Sequence, residues 1–321
     1  MPNSSNPLPS RHGLSFRAKR GICFAFALTL QFIAISASAQ APPKRPRILG
    51  IAQVEFYSTN KNAAGGFFTA VLDSNCLTKA PCWWNNVAQA KGEFNFHQPI
   101  GGQNLRLVTS PEPTPSNLLR EVAFSTDNIK TLKKYLQAKK VVITRAGDIY
   151  LGITDPEGHE IGFFQSSSLE TPSPSNNLRI IHAGFVVRDR ATMEHFYKDI
   201  LGFCPYWHGG MKDGTDEWLD LQVPDGTDWI EFMLNVPANA DHHTLGVMNH
   251  IALGVPDIKA AREQLIKNGW TGTEQPKIGR DGKWQLNLYD PDDTRVEFME
   301  FTPTQKPCCS EYTGPHPGQK P

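Results

Sequence analysis

Two short strings in the second half of the chain each place one glutamate among apolar residues. They are DWIEFML, centred on Glu231, and TRVEFME, centred on Glu297. Because alternate residues of a β-strand face opposite sides, Glu231 should share a face with Trp229, and Glu297 should share one with Arg295. An ionised carboxylate on the inner side of a sheet is costly unless a cation meets it. The two strings therefore predict a cation held between neighbouring strands.

Two histidines lie on strands that match these. His182 falls within a predicted strand over residues 180–187, and His250 directly precedes one over 251–255. Neutral imidazoles and carboxylates together suit Zn, Ni, Fe, Co or Mn, and do not select among these metals. A single His or Glu on a strand is more often a surface or hydrogen-bonded core residue, but four on comparable strands predict a divalent metal site. The predicted ligands are His182, Glu231, His250 and Glu297. Such an ion polarises adjacent oxygens of a small-molecule substrate.

The elements that must position these side chains follow one pattern, strand-helix-strand-strand-strand, which occurs four times. In the second, third and fourth units, Asp127, Asp189 and Asp257 are the predicted helix N-caps. Gly202 and Gly269 are placed to end the last two helices. The pattern predicts an α+β fold in which four βαβββ modules pair into two curved-sheet, half-barrel domains.

The repeat is also visible as similarity between stretches of the amino-acid sequence. TDPEGHEIGFF (154–164) matches YDPDDTRVEFM (289–299), and the segments that begin at His182 and Asn249 match along a strand and a helix. Linkers are marked by clusters of Pro, Ser and Asn. The predicted organisation is a signal peptide (1–39), a linker (40–47), an N-terminal domain (48–168), a linker (169–178), a C-terminal domain (179–303) and a Pro-rich tail (304–321).

The N-terminus has the composition of a secretory signal peptide. Arg17, Lys19 and Arg20 precede an apolar stretch over 21–35, and Ala37-Ser38-Ala39 is a small-residue cleavage site. The alternative is an uncleaved anchor, but the apolar stretch is short for a span of roughly 20 residues. The sequence therefore predicts export to the periplasm or the medium, with no stable membrane span after cleavage.

Charge argues against a nucleic-acid partner. The chain of 321 residues has equal numbers of basic and acidic residues, and four of the basic ones but no acid lie in residues 1–39. The remainder is therefore acidic by four charges, and it contains no basic patch with interleaved aromatic residues. The oligomeric state is left open.

Five cysteines follow the predicted cleavage site. In an oxidising compartment Cys76 and Cys82 have the spacing to close a small loop. Three roles remain open for the adjacent Cys308 and Cys309: a second disulfide link, a metal site or no role. Cys204, at an apolar helix end, is the expected buried free thiol. The tail is expected to be poorly ordered unless its cysteines hold it.

On these motifs the repeats resemble the vicinal oxygen chelate superfamily over nearly all of residues 48–303. This superfamily includes glyoxalase I, extradiol ring-cleaving dioxygenases, methylmalonyl-CoA epimerase and drug-resistance proteins. The order His-Glu-His-Glu is most similar to glyoxalase I. The resemblance implies a lyase or isomerase that acts on a vicinal-dioxygen substrate through an enediolate-type intermediate. It also implies that Glu297 moves the proton in the forward direction while Glu231 assists.

Two alternatives remain beside this hypothesis. The dioxygenases use two His and one Glu with Fe(II), which His182, His250 and Glu297 supply. However, the dioxygenase pattern has an additional His before a Leu-Tyr pair, and here no His lies between Arg280 and Tyr289. The other alternative is a protein that binds a small molecule in the cup without turnover. Export also fits poorly with a glutathione conjugate as the substrate, because glutathione is chiefly cytoplasmic.

The first half lacks the ligand set. Aligning the repeats places Ile51 at the position of His182, about Leu107 at that of Glu231, Glu121 at that of His250 and Gly162 at that of Glu297. Only Glu121 is a metal-ligating type, so the first domain is predicted to be metal-free and to support or shape the second. In the second domain, Arg280, Tyr289 and the pair His242-His243 are weaker candidates for substrate contacts or proton transfer.

Overall fold

Two β-sheets dominate the described part of this computed structural model. The structure describes residues 43–72, 95–100, 102–112, 117–168 and 178–318. The predicted signal peptide, the Cys76/Cys82 pair and most of the linker at 169–178 lie outside these residues. Within them, no helix has both the length and the apolar character needed to cross a membrane.

The first sheet contains seven strands. They are β1 (Ile48–Ser58), β2 (Asn95–Ile100), β3 (Gln103–Thr109), β4 (Leu119–Thr126), β5 (Ile143–Ala146), β6 (Tyr150–Thr154) and β7 (Glu160–Gln165). Their order across the sheet is β2-β3-β1-β4-β7-β6-β5. The central strands β1 and β4 are antiparallel, whereas β1 pairs with β3 and β4 with β7 in parallel.

The second sheet repeats this arrangement with one more edge strand. Its strands are β8 (Arg179–Val186), β9 (Cys204–Gly209), β10 (Trp218–Gln222), β11 (Trp229–Met233), β12 (His250–Val255), β13 (Lys277–Ile278), β14 (Trp284–Tyr289) and β15 (Arg295–Glu300). Their order is β13-β14-β15-β12-β8-β11-β10-β9. Again the central pair, β8 and β12, is antiparallel, and each pairs in parallel with the last strand of its own module. The predicted four modules and two curved sheets are confirmed.

Helices connect the first and second strands of each module. They are α1 (Lys61–Leu72), α2 (Ile129–Ala138), α3 (Arg190–Glu194), which continues as a π-helical turn (His195–Ile200), and α5 (Ile258–Lys267). An additional helix, α4 (His242–Met248), lies between the third and fourth modules. Asp241 caps α4 by accepting a hydrogen bond from the backbone N–H of Thr244, which satisfies one of the free N–H groups of its first turn.

Two of the three predicted N-caps are confirmed. The carboxylates of Asp189 and Asp257 accept backbone N–H groups at the start of α3 and α5. The prediction of Asp127 as the cap of α2 is wrong, because that helix starts one residue later and Asn128 caps it. The Asp127 carboxylate instead accepts the backbone N–H of Arg47.

The alternation of residues along each strand separates the core from the inner face of the second sheet. In β11, Ile230 and Phe232 are fully buried in the main core beneath the helices. Trp229 and Glu231, which alternate with them along the strand, face the opposite side and line a cavity. Burial of each large apolar side chain contributes about 1.5–3 kcal/mol, so this alternation fixes which residues point into the cup.

Two polar side chains join the sheets. The Nε2 amide of Gln103 donates to the carbonyl oxygens of Ile51 (2.9 Å) and Ile180 (2.8 Å), and its Oε1 accepts the Ile180 N–H (2.7 Å). The Asp228 carboxylate accepts the Ile51 N–H and pairs with Arg179. These buried bonds fix the start of β8 against β1 and so hold the edge of the cup that carries His182.

The C-terminal tail packs against the second sheet as far as the structure describes it. Cys308 and Cys309 form a disulfide with each other, one of the options that the sequence left open. Beyond it, the Thr313 N–H donates to the Tyr206 carbonyl (3.0 Å), and His316 Nδ1 lies 2.6 Å from the Tyr206 hydroxyl. The tail therefore forms part of the wall of the second cup.

Cys204 is the free cysteine of the described residues, but it is exposed and not buried as predicted. It does not lie on the apolar face of a helix end, because the helix stops at Gly202, which has a φ of +82°. Cys204 is instead the first residue of β9, the edge strand of the sheet.

Candidate metal centre

The four predicted ligands lie on the four central strands of the second sheet. His182 on β8 pairs with Ala252 on β12, which pairs in turn with Glu297 on β15. His250 on β12 and Glu231 on β11 both pair with Gly184 on β8. All four side chains consequently project from one face.

The donor atoms of these side chains meet in one place. The two Nε2 atoms of His182 and His250 are 3.1 Å apart. Glu231 Oε2 lies 3.2 Å from His250 Nε2 and 4.0 Å from His182 Nε2. Glu297 Oε2 lies 3.7 Å from His182 Nε2 and 3.9 Å from His250 Nε2. The structure thus brings together every residue that the sequence proposed for this site.

The spacing of three of the donors fits a single first-row divalent ion. Metal–nitrogen and metal–oxygen bonds of roughly 2.0–2.2 Å allow two donors of one ion to be at most about 4.3 Å apart. The donor atoms of His182, Glu231 and His250 meet this limit and form one close group, whereas Glu297 meets it toward the two histidines but does not belong to that group. The donor chemistry, two imidazoles and two carboxylates, suits the metals that the sequence indicated and does not choose among them.

Gly184 makes room for one of the ligands. A Cβ atom at this position would lie within about 3.0 Å of three atoms of the His250 ring, closer than a real Cβ approaches its neighbours. The absence of a side chain on β8 therefore lets the imidazole lie flat across the strand. Sequence reasoning missed this residue, although its position two residues after His182, on the same face of the strand, was visible.

Both histidines are neutral at physiological pH. Burial lowers the pKa of His182 well below its usual value, against the opposing effect of the Glu231 charge. Burial and the charge of Arg295 also lower the pKa of His250. The Nδ1 atom of His250 lies 3.2 Å from the Met248 carbonyl oxygen, which requires a proton on Nδ1 and leaves the Nε2 lone pair facing the other donors. Neutral imidazole with such a second hydrogen bond is the usual metal-ligating form.

The two carboxylates differ in environment. Glu297 is 3% exposed, and burial raises its pKa to about 7, with the charge of Arg295 opposing and that of Glu231 adding to the effect. Glu231 is partly exposed and faces the cavity. A carboxyl group that is half protonated near neutral pH can both accept and return a proton, which is the requirement for general acid–base catalysis.

A cavity of about 80 Å³ opens beside the four donors. Trp207, Trp218 and Trp229 form its aromatic wall, and the Trp229 ring lies 4.8 Å from the ring of His182, centre to centre. Asp220 adds a carboxylate whose Oδ1 is buried with no hydrogen-bond partner among the described residues. The wall suits a small molecule with a flat or apolar part and polar groups at one end.

Of the weaker candidates, Arg280 lines this cavity, and its guanidinium also donates to Asp213 and to the Sγ of Cys308. Tyr289 is 38% exposed and is not among the residues that line the cavity. His243 stacks near Tyr289 and pairs with Asp293, so the site in this structure does not include it.

A fully buried lysine lies behind the cavity wall. Lys283 Nζ has no hydrogen-bond partner in the described part of the chain and lies 4.3 Å from the Trp229 ring centre, with Tyr206 and Tyr312 within 5.4 Å. Burial lowers its pKa, while the charge of Asp281 opposes this. The sequence gave no sign of this cation–π cage, because Tyr312 comes from the tail and Tyr206 from an edge strand.

The first sheet places Gln53, and not Ile51, at the position of His182. On β12 the residue opposite His182 is Ala252, two residues after the ligand position. On β4 the residue two after Glu121 is Ala123, and its partner on β1 is Gln53. The alignment from sequence was off by two residues, because the register of β1 against β4 is set by pairing across the strands.

Arg106, and not Leu107, stands at the position of Glu231. Glu231 pairs with Gly184, and the equivalent pair in the first sheet is Arg106 with Glu55. A one-residue error in a strand moves a side chain to the other face, which is why the sequence alignment offered an apolar residue here. Glu55 thus fills the space that Gly184 leaves open in the second sheet.

Arginines neutralise the carboxylates of the first cup. Arg106 and Arg120 both pair with the buried Glu55, and Arg145 pairs with the buried Glu121. Guanidinium groups therefore supply the positive charge at the position where the second cup gathers its metal-ligating donors.

Comparisons with known proteins agree with this architecture. A profile of the Glyoxalase/Bleomycin resistance protein/Dioxygenase superfamily matches residues 179–298. A search of curated proteins found no match. Among solved structures, an extradiol ring-cleaving dioxygenase from B. fuscum is 19% identical, with 81% of this chain and 73% of that chain covered and a TM-score of 0.57.

Two other structures are similar. Homoprotocatechuate 2,3-dioxygenase from Brevibacterium fuscum in complex with 3,4-dihydroxyphenylacetate is 19% identical, with 87% and 85% of the two chains covered and a TM-score of 0.57. A catechol 2,3-dioxygenase is 12% identical, with 86% and 96% covered and a TM-score of 0.56. At these identities the likeness establishes the fold alone. The profile match places a domain of the glyoxalase, bleomycin resistance protein and dioxygenase superfamily, also called the vicinal oxygen chelate superfamily, at residues 179–298.

Proposed function

We propose that this protein is a divalent-metal-dependent, glyoxalase-like lyase or isomerase that acts on a small vicinal-dioxygen substrate. The observation that carries the proposal is the convergence of four donors, two from imidazole and two from carboxylate, beside a cavity. Four protein donors leave two positions of a six-coordinate ion for two adjacent substrate oxygens. A three-donor set would leave room for dioxygen as well.

The proposed reaction is a proton transfer next to a carbonyl group. A divalent ion held by the four donors would polarise the substrate oxygens and make the adjacent C–H more acidic. Glu297 takes this proton, because its carboxylate lines the cavity beside the other donors. Glu231, on the cavity side of the site, assists or performs the transfer on the opposite substrate face.

The test is the Glu297→Gln variant, assayed with a panel of α-ketoaldehydes with thiols and of diols after metal reconstitution. We expect loss of turnover by at least about 10²-fold, the typical contribution of a general base, with metal content largely retained. Glu300→Gln is the matched control on the same strand, because its carboxylate accepts the Ile258 N–H away from the cavity. Unchanged turnover in Glu297→Gln would end the assignment of Glu297.

A second candidate function is extradiol-type ring cleavage with Fe(II). The similar solved structures named above are such dioxygenases, and His182, His250 and Glu297 alone form a two-His, one-carboxylate set. Glu231→Gln separates the candidates. In a dioxygenase Glu231 is not a ligand, so the variant would keep its iron, and the protein would consume oxygen with catechols. In the lyase or isomerase the variant would lose turnover with the α-ketoaldehyde panel, and the protein would not consume oxygen with catechols. Tight ligand binding without any product would indicate a binding protein.

We also propose that the enzyme acts outside the cytoplasm. The support is the sequence of residues 1–39, with its basic start, apolar stretch and Ala-Ser-Ala site. Mass analysis of the N-terminus of the protein from a cell fraction tests this, since cleavage predicts a chain that begins at Gln40.

A further inference from the structure

Arg295 makes direct contact with the candidate ligands. It precedes Glu297 by two residues on β15 and therefore projects from the same face. Its Nη2 donates a hydrogen bond to His250 Nε2 and lies 3.8 Å from Glu231 Oε2. Its side chain is 15% exposed, and it lines the cavity.

This hydrogen bond uses the lone pair that a metal needs. The proton on Nδ1 of His250, held by the Met248 carbonyl, leaves Nε2 as the only ring nitrogen with a free lone pair. An sp² nitrogen accepts one hydrogen bond or one metal bond, but not both. Arg295 Nη2 and a metal ion therefore compete for His250.

The guanidinium also has an unused donor. Arg295 Nε is buried with no hydrogen-bond partner in the described part of the chain. A buried donor without an acceptor is costly. When Nη2 leaves His250, the neighbouring Nε and Nη2 donors form the fork that matches a carboxylate with two parallel hydrogen bonds.

We propose that Arg295 is a positioning residue that alternates between the lone pair of His250 and a carboxylate group of the substrate. In the first position it weakens metal binding. In the second it releases His250 to the metal and orients the ligand over it. This rests on the proposed function and narrows its substrate class to small 2-hydroxy or 2-oxo acids, in which a carboxylate oxygen is one of the two vicinal oxygens. Metal binding and carboxylate binding should then strengthen each other by the same factor.

The experiment measures the Zn²⁺ affinity of the metal-stripped full chain in a metal-ion buffer, with and without saturating 2-hydroxyisobutyrate. This probe has no proton on its α-carbon and is not turned over, and the buffer fixes free Zn²⁺ so that the probe's own metal binding does not enter. The variants are Arg295→Met and Arg295→Gln, so that one serves if the other fails to fold. Arg280→Met is the matched control, because Arg280 lines the same cavity but donates to Asp213 and Cys308.

We expect both neutral Arg295 variants to bind Zn²⁺ roughly tenfold more tightly than the wild type, since a competing charged hydrogen bond is removed. The probe should raise the Zn²⁺ affinity of the wild type several-fold and that of the Arg295 variants not at all. Equal or weaker Zn²⁺ binding in both variants, or an equal gain in Arg280→Met, would overturn this inference while leaving the metal enzyme in place. Absence of Zn²⁺ binding in the wild type and all variants would overturn the proposed function and this inference together.

Discussion

The buried carboxyl group of Glu297 should make the metal-free protein less stable as the pH rises. Burial raises its pKa to about 7 in the folded chain, whereas an unfolded Glu titrates near 4.3. Below pH ~4.3 both states bind the proton and the carboxyl group costs nothing. Between the two values only the folded state keeps it, so stability falls as the pH rises and the loss is complete above pH ~7. At about 1.4 kcal/mol per pH unit over about 2.7 units, the complete loss is about 4 kcal/mol, of which about 3 kcal/mol falls above about pH 5.

Glu297→Gln removes this titration while keeping the size of the side chain. The assay is urea unfolding of the metal-stripped protein, followed by tryptophan fluorescence, at about pH 5 and about pH 8. Between about pH 5 and about pH 8, the free energy of unfolding of the variant should rise by about 3 kcal/mol relative to that of the wild type. Comparing the two proteins cancels the other groups that titrate in this range.

Glu194 on α3 gives a control whose pKa is shifted the other way. Although burial raises its pKa, the hydrogen bonds from Arg190 and Lys198 outweigh this and lower it, so its contribution to stability is lost only below about pH 4.3, and Glu194→Gln should differ from the wild type by nearly the same amount at both assay pH values. A difference between Glu297→Gln and the wild type that is the same at both pH values would refute the reasoning, because it would mean that Glu297 titrates alike in the folded and unfolded chain.

Three further perturbations have defined outcomes. Gly184→Ala should weaken Zn²⁺ binding at least about tenfold, because a Cβ at this position displaces the His250 ring. Titration in a metal-ion buffer measures the affinity, and circular dichroism checks that the fold is retained. Zn²⁺ affinity equal to that of the wild type would contradict the prediction. Lys283→Met should lose stability relative to the wild type as the pH rises from acid to neutral, because the buried Asp281 carboxyl group, whose pKa burial raises, then ionises without the positive charge of Lys283; urea unfolding at low and neutral pH checks this, and the same difference at both would contradict it. Reduction of the Cys308–Cys309 disulfide should change tryptophan emission, because Trp207 Nε1 donates to the Cys308 carbonyl (3.1 Å); the Cys308→Ser/Cys309→Ser double variant should show the reduced spectrum and no response to dithiol.

The fold and the four donors were accessible from sequence because both depend on local alternation. A strand buried on one face fixes which of Glu231 and Phe232 faces the core, and the modules repeat this pattern. The interpretation of Glu297 followed from the same rule. Strand pairing then needed no further information, since each pair of modules closes the same way.

What the sequence could not supply depends on contacts between distant segments. The first-domain alignment failed at Ile51 and Leu107, because pairing across strands sets their register. A register shift of one or two residues cannot be read from the amino-acid sequence. The cage around Lys283 requires the tail to fold back on β9. The contact of Arg295 with His250 was also inaccessible, since alternation gives the face of a side chain but not the atom that it meets.

The most direct measurement is anomalous X-ray scattering from crystals grown with Mn²⁺ or Zn²⁺, recorded at the absorption edge of the metal. We predict one strong peak per chain, bonded to His182, His250, Glu231 and Glu297 at roughly 2.0–2.2 Å, with Arg295 turned away from His250. A peak elsewhere, or none at saturating metal with the guanidinium still bonded to His250, would contradict the assignment of this cup as a metal centre.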